Sequence, residues 1–345
     1  MAIEFRIIHD EAVFHHPLKN FELTKVPYEI RYDPLTGQAT RLILIRKPNL
    51  IEPDWTPFIE ESRSRFCPFC PDKIDQVTPR FQEHLISGGY FRLGEVTVVQ
   101  NLNPFDKYSV VVVISPQHYL SMPELTPEVI SNSFQAALEF LKIVSSKDPE
   151  GAKYCSINWN YMPYSGGSVI HPHLQVQAGP QPTSYQALIL DQASQYYSKN
   201  KSIYWSDLLI CEKEKNERYL GRTGNIYWLT TFAPRTLFDI SAILPEKATV
   251  NDLNKEDLDN LADGLGKVIT FYKNSNVASF NAALYFARDQ KDKAFWITAR
   301  IVARFTFFPL VGSDYSFLQV LHNEACSLHI PEQLNQDLAP YYQDK

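Results

Sequence analysis

The sequence predicts an α+β fold made of two similar halves, a pseudo-duplicate in which antiparallel sheet is flanked by helices. Three observations predict it. β-rich runs alternate with cleanly capped helical stretches, and the order strand, polar loop, helix, strand, strand occurs twice along the chain. The 345 residues are 44% apolar and 21% charged, the balance of a soluble chain with a substantial core. We place the halves at 1–185 and 186–345 and expect them to share one core rather than hang as beads on a linker.

The elements follow in order. Residues 28–48, YEIRYDPLTGQATRLILIRKP, read as two strands about a Pro-Leu-Thr-Gly turn, where glycine supplies positive φ. A polar, proline-spaced stretch over 52–83 contains CPFC. Between Glu95 and Ile114, VTVVQN and YSVVVVIS are strands of a buried sheet separated by NPFDK. A helix starts after SPQHYLSMPEL: Thr126 caps it, Pro127 and Glu128 suit its first turn, and Ile130, Phe134, Ala137, Leu141 and Val144 form its apolar stripe. YCSINWN and HPHLQVQAGP are then strands joined by a glycine-bearing loop. The two-residue period sets His171, His173, Gln175 and Gln177 on one face, and Pro172, which lacks an N–H, marks an edge, a bulge or the first residues of the strand.

The second pass runs LFDISAILP, a helix over about Lys255 to Lys273 with Leu258, Leu261, Leu265, Val268 and Tyr272 on one stripe, then NAALYFA and WITARIVARFTFF. ISPQHYLSMPELTPEVI parallels ILPEKATVNDLNKEDLDNL, so Lys247 falls where His118 stands in the first half. RFTFFP takes the place of the HPH segment, with Arg304 and Thr306 instead of imidazoles.

Composition excludes some function classes. A net charge of −6 argues against a chain whose main partner is a nucleic-acid backbone. The N-terminus shows neither a basic n-region nor an apolar h-region, and no run of about 18 uncharged apolar residues occurs, so we expect a cytoplasmic chain with no membrane partner. Five cysteines, of which only Cys67 and Cys70 are close together, do not make a disulfide framework. Cys155, Cys211 and Cys326 read as buried inert thiols.

Two features carry chemistry. In CPFC, thiolates with two residues between them can reach one tetrahedral zinc, and His118 and His171, each at a strand end, are available to complete a site of two cysteines and two histidines; a redox pair or two core cysteines are the other readings of the same motif. His173 is then free. A neutral imidazole can attack phosphorus and split one transfer into two displacements. Gly166, Gly167 and the Ser168 hydroxyl offer donors to phosphate oxygens, and Gln175 on the same face can hold a non-bridging oxygen as charge develops. A pair of surface histidines on an exposed strand is the competing reading.

HPHLQVQ, preceded by Asn160, Gly166 and Ser168, resembles the histidine-triad superfamily, and within it the galactose-1-phosphate uridylyltransferase branch. RYDPLTGQ, CPFC, ISPQHYLSMPEL and the repeated second half extend the resemblance over nearly the whole chain. It implies two histidine-triad-like halves, zinc held structurally by Cys67, Cys70, His118 and His171, and a nucleotidylated His173. It further implies phosphate contacts from Asn160, Ser168 and Gln175, with Arg46 as a further phosphate partner and Asn101 near the base. The implied reaction is ping-pong, moving a nucleoside monophosphate from a UDP-glucose-like nucleotide sugar to a hexose 1-phosphate such as galactose 1-phosphate, with no magnesium required. Relatives are often dimers, so a homodimer is compatible with the resemblance.

The departures are specific. Met162 and Leu174 stand where the family has glycine, Arg304 and Thr306 replace a C-terminal His-x-His that holds a second metal in some members, and SDYSFLQVLHNEA does not match the segment that shapes the hexose pocket. Two alternatives stay open beside the uridylyltransferase reading: a phosphorylase of ADP-sugars or dinucleoside polyphosphates that uses inorganic phosphate, and a non-catalytic nucleotide-binding protein.

Overall fold

Residues 3–44, 50–288, 294–306 and 313–342 are described by the computed structural model. The first half of the chain runs β1 (Ile7–His16), β2 (Glu22–Tyr32), β3 (Ala39–Ile43), α1 (Thr56–Ser64), α2 (Ile74–Val77), β4 (Phe91–Leu93), β5 (Val96–Gln100), β6 (Tyr108–Val113), α3 (Pro127–Lys147), β7 (Tyr154–Tyr161) and β8 (His173–Gly179). The remainder runs α4 (Ser184–Asn200), α5 (Tyr204–Lys215), β9 (Tyr219–Thr223), β10 (Ile226–Thr230), β11 (Ile240–Leu244), α6 (Lys255–Asn274), β12 (Ser279–Tyr285), β13 (Ile297–Arg304), α7 (Phe317–Leu321), β14 (Ala325–Ser327) and α8 (Pro331–Tyr342).

Ten strands form one antiparallel sheet in the order β4-β5-β6-β8-β7-β12-β13-β11-β10-β9. Counted inward from either edge the order repeats: β9, β10, β11, β13 and β12 stand where β4, β5, β6, β8 and β7 do. The two sets meet where β7 pairs with β12, Asn160 opposite Asn281. A single apolar cluster spans the junction. It joins Val110, Phe134, Trp159 and Val176 to Ile240, Leu265, Phe280 and Ile301, with α3 and α6 side by side on that face. The expected shared core is therefore what the strands build. The start of α3 is as the sequence suggests: Thr126 Oγ1 accepts from the Val129 N–H at 3.3 Å, and the stripe from Ile130 to Val144 is buried.

The opposite face of the sheet is polar in its middle. Residues directly opposite in an antiparallel pair share a face, so Gln175, Asn158, Ala283, Arg300 and Ser241 lie in one row. Over the β6–β8 end this face is covered by Phe69, Ile74 and Tyr90 packed on Val99, Val111 and Val113. Over the β11–β13 end it is covered by α4 and α5, through Ile189, Tyr204 and Trp205.

Register corrects one sequence expectation. Leu174, Val176 and Ala178 of β8 enter the helix-covered core as Ala299, Ile301 and Ala303 of β13 do. On that match Thr298 and Arg300 take the places of His173 and Gln175. Arg304 ends β13, and Thr306 lies beyond the strand. Similar wording drew attention to RFTFFP, but strand pairing counts residues from the strand start.

The remaining strands β1-β2-β3-β14 form a separate four-stranded sheet, with β14 parallel to β3. It is tied to the second half by the buried Arg31, which donates to Glu332 at 2.8 Å, while Glu332 also accepts from Arg218 at 2.6 Å. The strand β1, the helices α4 and α5 and the β9–β10 hairpin add to the elements predicted from the sequence. No helix among the described residues is long and apolar enough to cross a membrane.

Candidate active site

The strand β8 begins at His173, and the residues before it lie outside the ladder because Pro172 has no N–H to give; its carbonyl accepts from Ile114 N at 3.0 Å instead. This frees His171 to turn toward the segment of Cys67 and Cys70. His171 is completely buried, and its Nε2 donates to the Ser115 carbonyl at 2.8 Å, which leaves the Nδ1 lone pair facing the two sulfurs. His118 is oriented the same way by a different partner. The Ser62 hydroxyl donates to the Ile59 carbonyl at 2.8 Å, so its oxygen accepts from His118 Nε2 at 2.8 Å, and His118 Nδ1 is again the free lone pair.

The four ligand atoms, two Sγ and two Nδ1, lie within 4.8 Å of one another. Cys67 Sγ is 3.6 Å and Cys70 Sγ 3.8 Å from His171 Nδ1, and Cys70 Sγ is 3.3 Å from His118 Nδ1. Tetrahedral zinc with ordinary Zn–S and Zn–N bonds sets sulfur–nitrogen edges of about 3.5–3.6 Å. The cluster can hold such an ion. Burial, and after it the neighbouring Cys67 thiol, pushes Cys70 up to about 11, while burial draws His171 down to about 4, so at neutral pH the imidazole is neutral and the sulfur retains its proton until a cation displaces it.

His173 stands two residues on, 5% exposed, with Phe69 packed beside it at 5.5 Å between ring centres. Its Nδ1 donates to the His171 carbonyl at 2.7 Å, so the lone pair resides on Nε2. Burial holds the ring below the ordinary imidazole range, opposed by that hydrogen bond. The result is a neutral imidazole of fixed orientation. Gln175 shares its face one pleat away, on the row of Val111 and Asn158. Asn160 follows Trp159, the partner of Leu174, and so lies beside His173 on the next strand.

The loop between β7 and β8 carries the other expected residues. Gly166 has φ +89°, a left-handed value that suits glycine, and Gly167 lies over the Asn160 carbonyl. Met162, where the family resemblance expects glycine, has φ 64° and ψ 163°, a conformation costing a side chain on the order of 1–3 kcal/mol. Its carbonyl accepts from Ser165 N, Ser165 Oγ and Ser279 Oγ, which hold the turn in place. Ser168 lines a cavity of about 120 Å³ with His118, Cys67 and Phe58, on the side of the cysteine–histidine cluster. Asn101 directly follows β5 at the far end of the sheet, its Oδ1 taken by Asn103 N at 3.0 Å. Arg46 lies outside the described residues.

No family model matches the chain. An uncharacterized protein of Archaeoglobus fulgidus is 33% identical over 310 residues, which is 90% of this chain and 91% of that one. The chain belongs to that protein's family. Solved structures show which fold the family has. An ADP-glucose phosphorylase from Arabidopsis thaliana with bound ADP-glucose superposes with a TM-score of 0.70 at 17% identity, covering 90% of this chain and 98% of that one. A galt-like protein from the same plant gives 0.67 at 16% identity over 90% and 98%. A uridylyltransferase gives 0.63 at 19% over 91% and 98%. The family thus has the galactose-1-phosphate uridylyltransferase-like fold that the motifs implied.

Three contributors to this region were not picked out in the sequence. Ser62 and the Ser115 carbonyl set the histidine tautomers, and Asn281 reaches Asn160 across the β7–β12 junction with its Nδ2 2.6 Å from Asn160 Oδ1. Ser62 sits four residues before Phe66 in a polar stretch with no motif, and Asn281 is separated from Asn160 by 121 positions. Neither carries a local signal.

Proposed function

We propose that this protein is a zinc-containing nucleotidyltransferase that works through a covalent nucleotidyl-His173. The orientation of His173 carries the reading: Nδ1–H is committed to the His171 carbonyl, and Nε2 is left with its lone pair on a sheet face rich in amides. Cys67, Cys70, His118 and His171 would hold the zinc, which supplies a structural clamp fixing the start of β8 to the cysteine segment. The carbonyl that orients His173 belongs to a metal ligand, so the clamp also sets the nucleophile's position.

In the first step Nε2 attacks the α-phosphorus of a nucleotide sugar. The bond from that phosphorus to the bridging oxygen breaks, and the sugar 1-phosphate leaves with the electron pair. Gln175, Asn160 and the donors of Gly166, Gly167 and Ser168 would take the non-bridging oxygens. In the second step a phosphate oxygen of the acceptor attacks the same phosphorus, and the N–P electrons return to Nε2. Asn101, just after β5, would lie near the base, and Arg46 would add a phosphate contact. On this reading the chain divides at 185 into a half that carries the histidine site and a half that lacks those histidines, and its architecture is compatible with a homodimer.

The donor is a UDP-glucose-like nucleotide sugar and the acceptor a hexose 1-phosphate, which places the protein in galactose and carbohydrate metabolism. A second reading, an ADP-sugar phosphorylase with inorganic phosphate as acceptor, is favoured by the poor match of SDYSFLQVLHNEA to a hexose pocket and by the likeness to an ADP-glucose phosphorylase. Exchange assays decide between them. UDP-glucose and ADP-glucose are each incubated with galactose 1-phosphate or with inorganic phosphate. UDP-galactose formation supports the first reading, ADP formation from ADP-glucose and phosphate supports the second, and exchange with neither acceptor refutes both.

A further inference from the structure

Asn160 belongs to the proposed phosphate site, but which edge of its carboxamide faces the ligand is decided elsewhere. An amide can be turned over at almost no steric cost, so its polarity is set by its partners. Here the partners form a chain that begins in the second half of the molecule. Arg304, at the end of β13, is held by the buried carboxylate of Asp314, from Nε at 2.7 Å and Nη2 at 2.6 Å. Its remaining Nη1 donates to Asn281 Oδ1 at 2.8 Å. Guanidinium has no acceptor, so Asn281 must present its oxygen there.

Asn281 is thereby fixed at every valence. Its Nδ2 donates one hydrogen to Asn160 Oδ1 at 2.6 Å and the other to the Ser165 carbonyl at 3.0 Å. Turned over, it would set its NH₂ against a guanidinium and its oxygen against the Ser165 carbonyl. Asn160 must then give its oxygen to Asn281. Its Nδ2 is left on the opposite edge of the amide, without an acceptor among the described residues, and His173 lies on the strand at that side, with cross-strand neighbours on a common face about 5 Å apart. The same Asn281 also anchors Ser165, the residue before Gly166 and Gly167.

We propose that Arg304 and Asn281 are positioning residues that set the polarity of Asn160, turning its NH₂ edge to the phosphate beside His173. The inference rests on the proposed nucleotide site. It gives the second half a part in the reaction that its missing histidines would not suggest: a donor of fixed direction, supplied through two side chains that touch no substrate.

The test measures what a phosphate adds to binding. Dissociation constants for UMP against uridine, and for AMP against adenosine, are determined by calorimetry for the metal-loaded full chain. The ratio within each pair is the phosphate increment. Asn281→Asp still accepts from Arg304 but cannot donate to Asn160, and should lower the increment at least tenfold, as Asn160→Ala does. Added to Asn160→Ala, Asn281→Asp should change it less than twofold, whereas a merely structural role would act equally in both backgrounds. Arg304→Lys, which keeps a donor for Asn281 Oδ1, should retain more of the increment than Arg304→Gln; this comparison decides the matter should Asn281→Asp fail to fold.

An unchanged increment in Asn281→Asp, an equal loss with and without Asn160, or a wild-type chain that binds neither monophosphate more tightly than its nucleoside would each overturn the inference. Increments that behave as stated in a protein that never becomes nucleotidylated would refute the proposed function and leave the positioning role standing.

Discussion

Replacing Ser62 by alanine should weaken metal binding 10- to 100-fold without disturbing the fold. The size follows from how His118 is held. Ser62 spends its one hydrogen on the Ile59 carbonyl, so its oxygen is the acceptor for His118 Nε2–H at 2.8 Å and selects the tautomer whose Nδ1 faces Cys70 Sγ at 3.3 Å. Without it His118 must find its orientation anew at each binding event, and outer partners of this kind are worth about 10–100-fold in affinity, or about 1.4–2.7 kcal/mol. His171 provides the internal comparison, because its partner is the backbone carbonyl of Ser115, which the substitution leaves alone. Competition against a chromophoric zinc chelator, on wild type and Ser62→Ala at matched pH, measures the ratio. An affinity within twofold of wild type would refute the tautomer argument, and a total loss of metal would show that His118 depends on Ser62 for more than orientation.

Two further predictions follow from the same structure. Because Cys70 lies near pH 11 without a cation, loading the cluster must release thiol protons, so apparent zinc affinity should rise steadily from pH 6 to 8; a flat profile in chelator competition would contradict thiolate ligation. Gly264→Ala should destabilise the chain by roughly 2–4 kcal/mol in urea unfolding, since the new methyl would overlap the Trp228 ring, which is buried and pinned by its Nε1 bond to Thr223 Oγ1 at 2.9 Å; unaltered stability would mean that α6 shifts off β10 freely.

What was legible in the sequence is what has a short-range signature. CPFC and HPH announce ligand spacing directly, and the alternation through HLQVQ sets His173 and Gln175 on one face. The cap at Thr126 and the stripe from Ile130 to Val144 define α3 by chemistry confined to the helix itself. His171 was drawn into the strand because the alternation continues through it, whereas Pro172 breaks the ladder. Similar wording points to Arg304 and Thr306 as the counterparts of the imidazoles, whereas the register puts Thr298 in the place of His173 and Arg300 in that of Gln175. Asn281 and Ser62 stayed hidden because their meaning lies in which atom of a distant partner they meet. The helices α4 and α5, although they pack on Leu229 and Ile243, show little amphipathic contrast, which removes the periodic signal that makes α3 and α6 plain.

The most direct test of the central claim is to incubate metal-loaded protein with UDP-glucose and ADP-glucose, each labelled at the α-phosphorus, quench in alkali, and map the label. The account predicts one labelled peptide containing His173, stable in base, discharged by mild acid, and absent from a His173→Ala variant that still binds its zinc. Label that persists in that variant, or that maps to another residue, would contradict it.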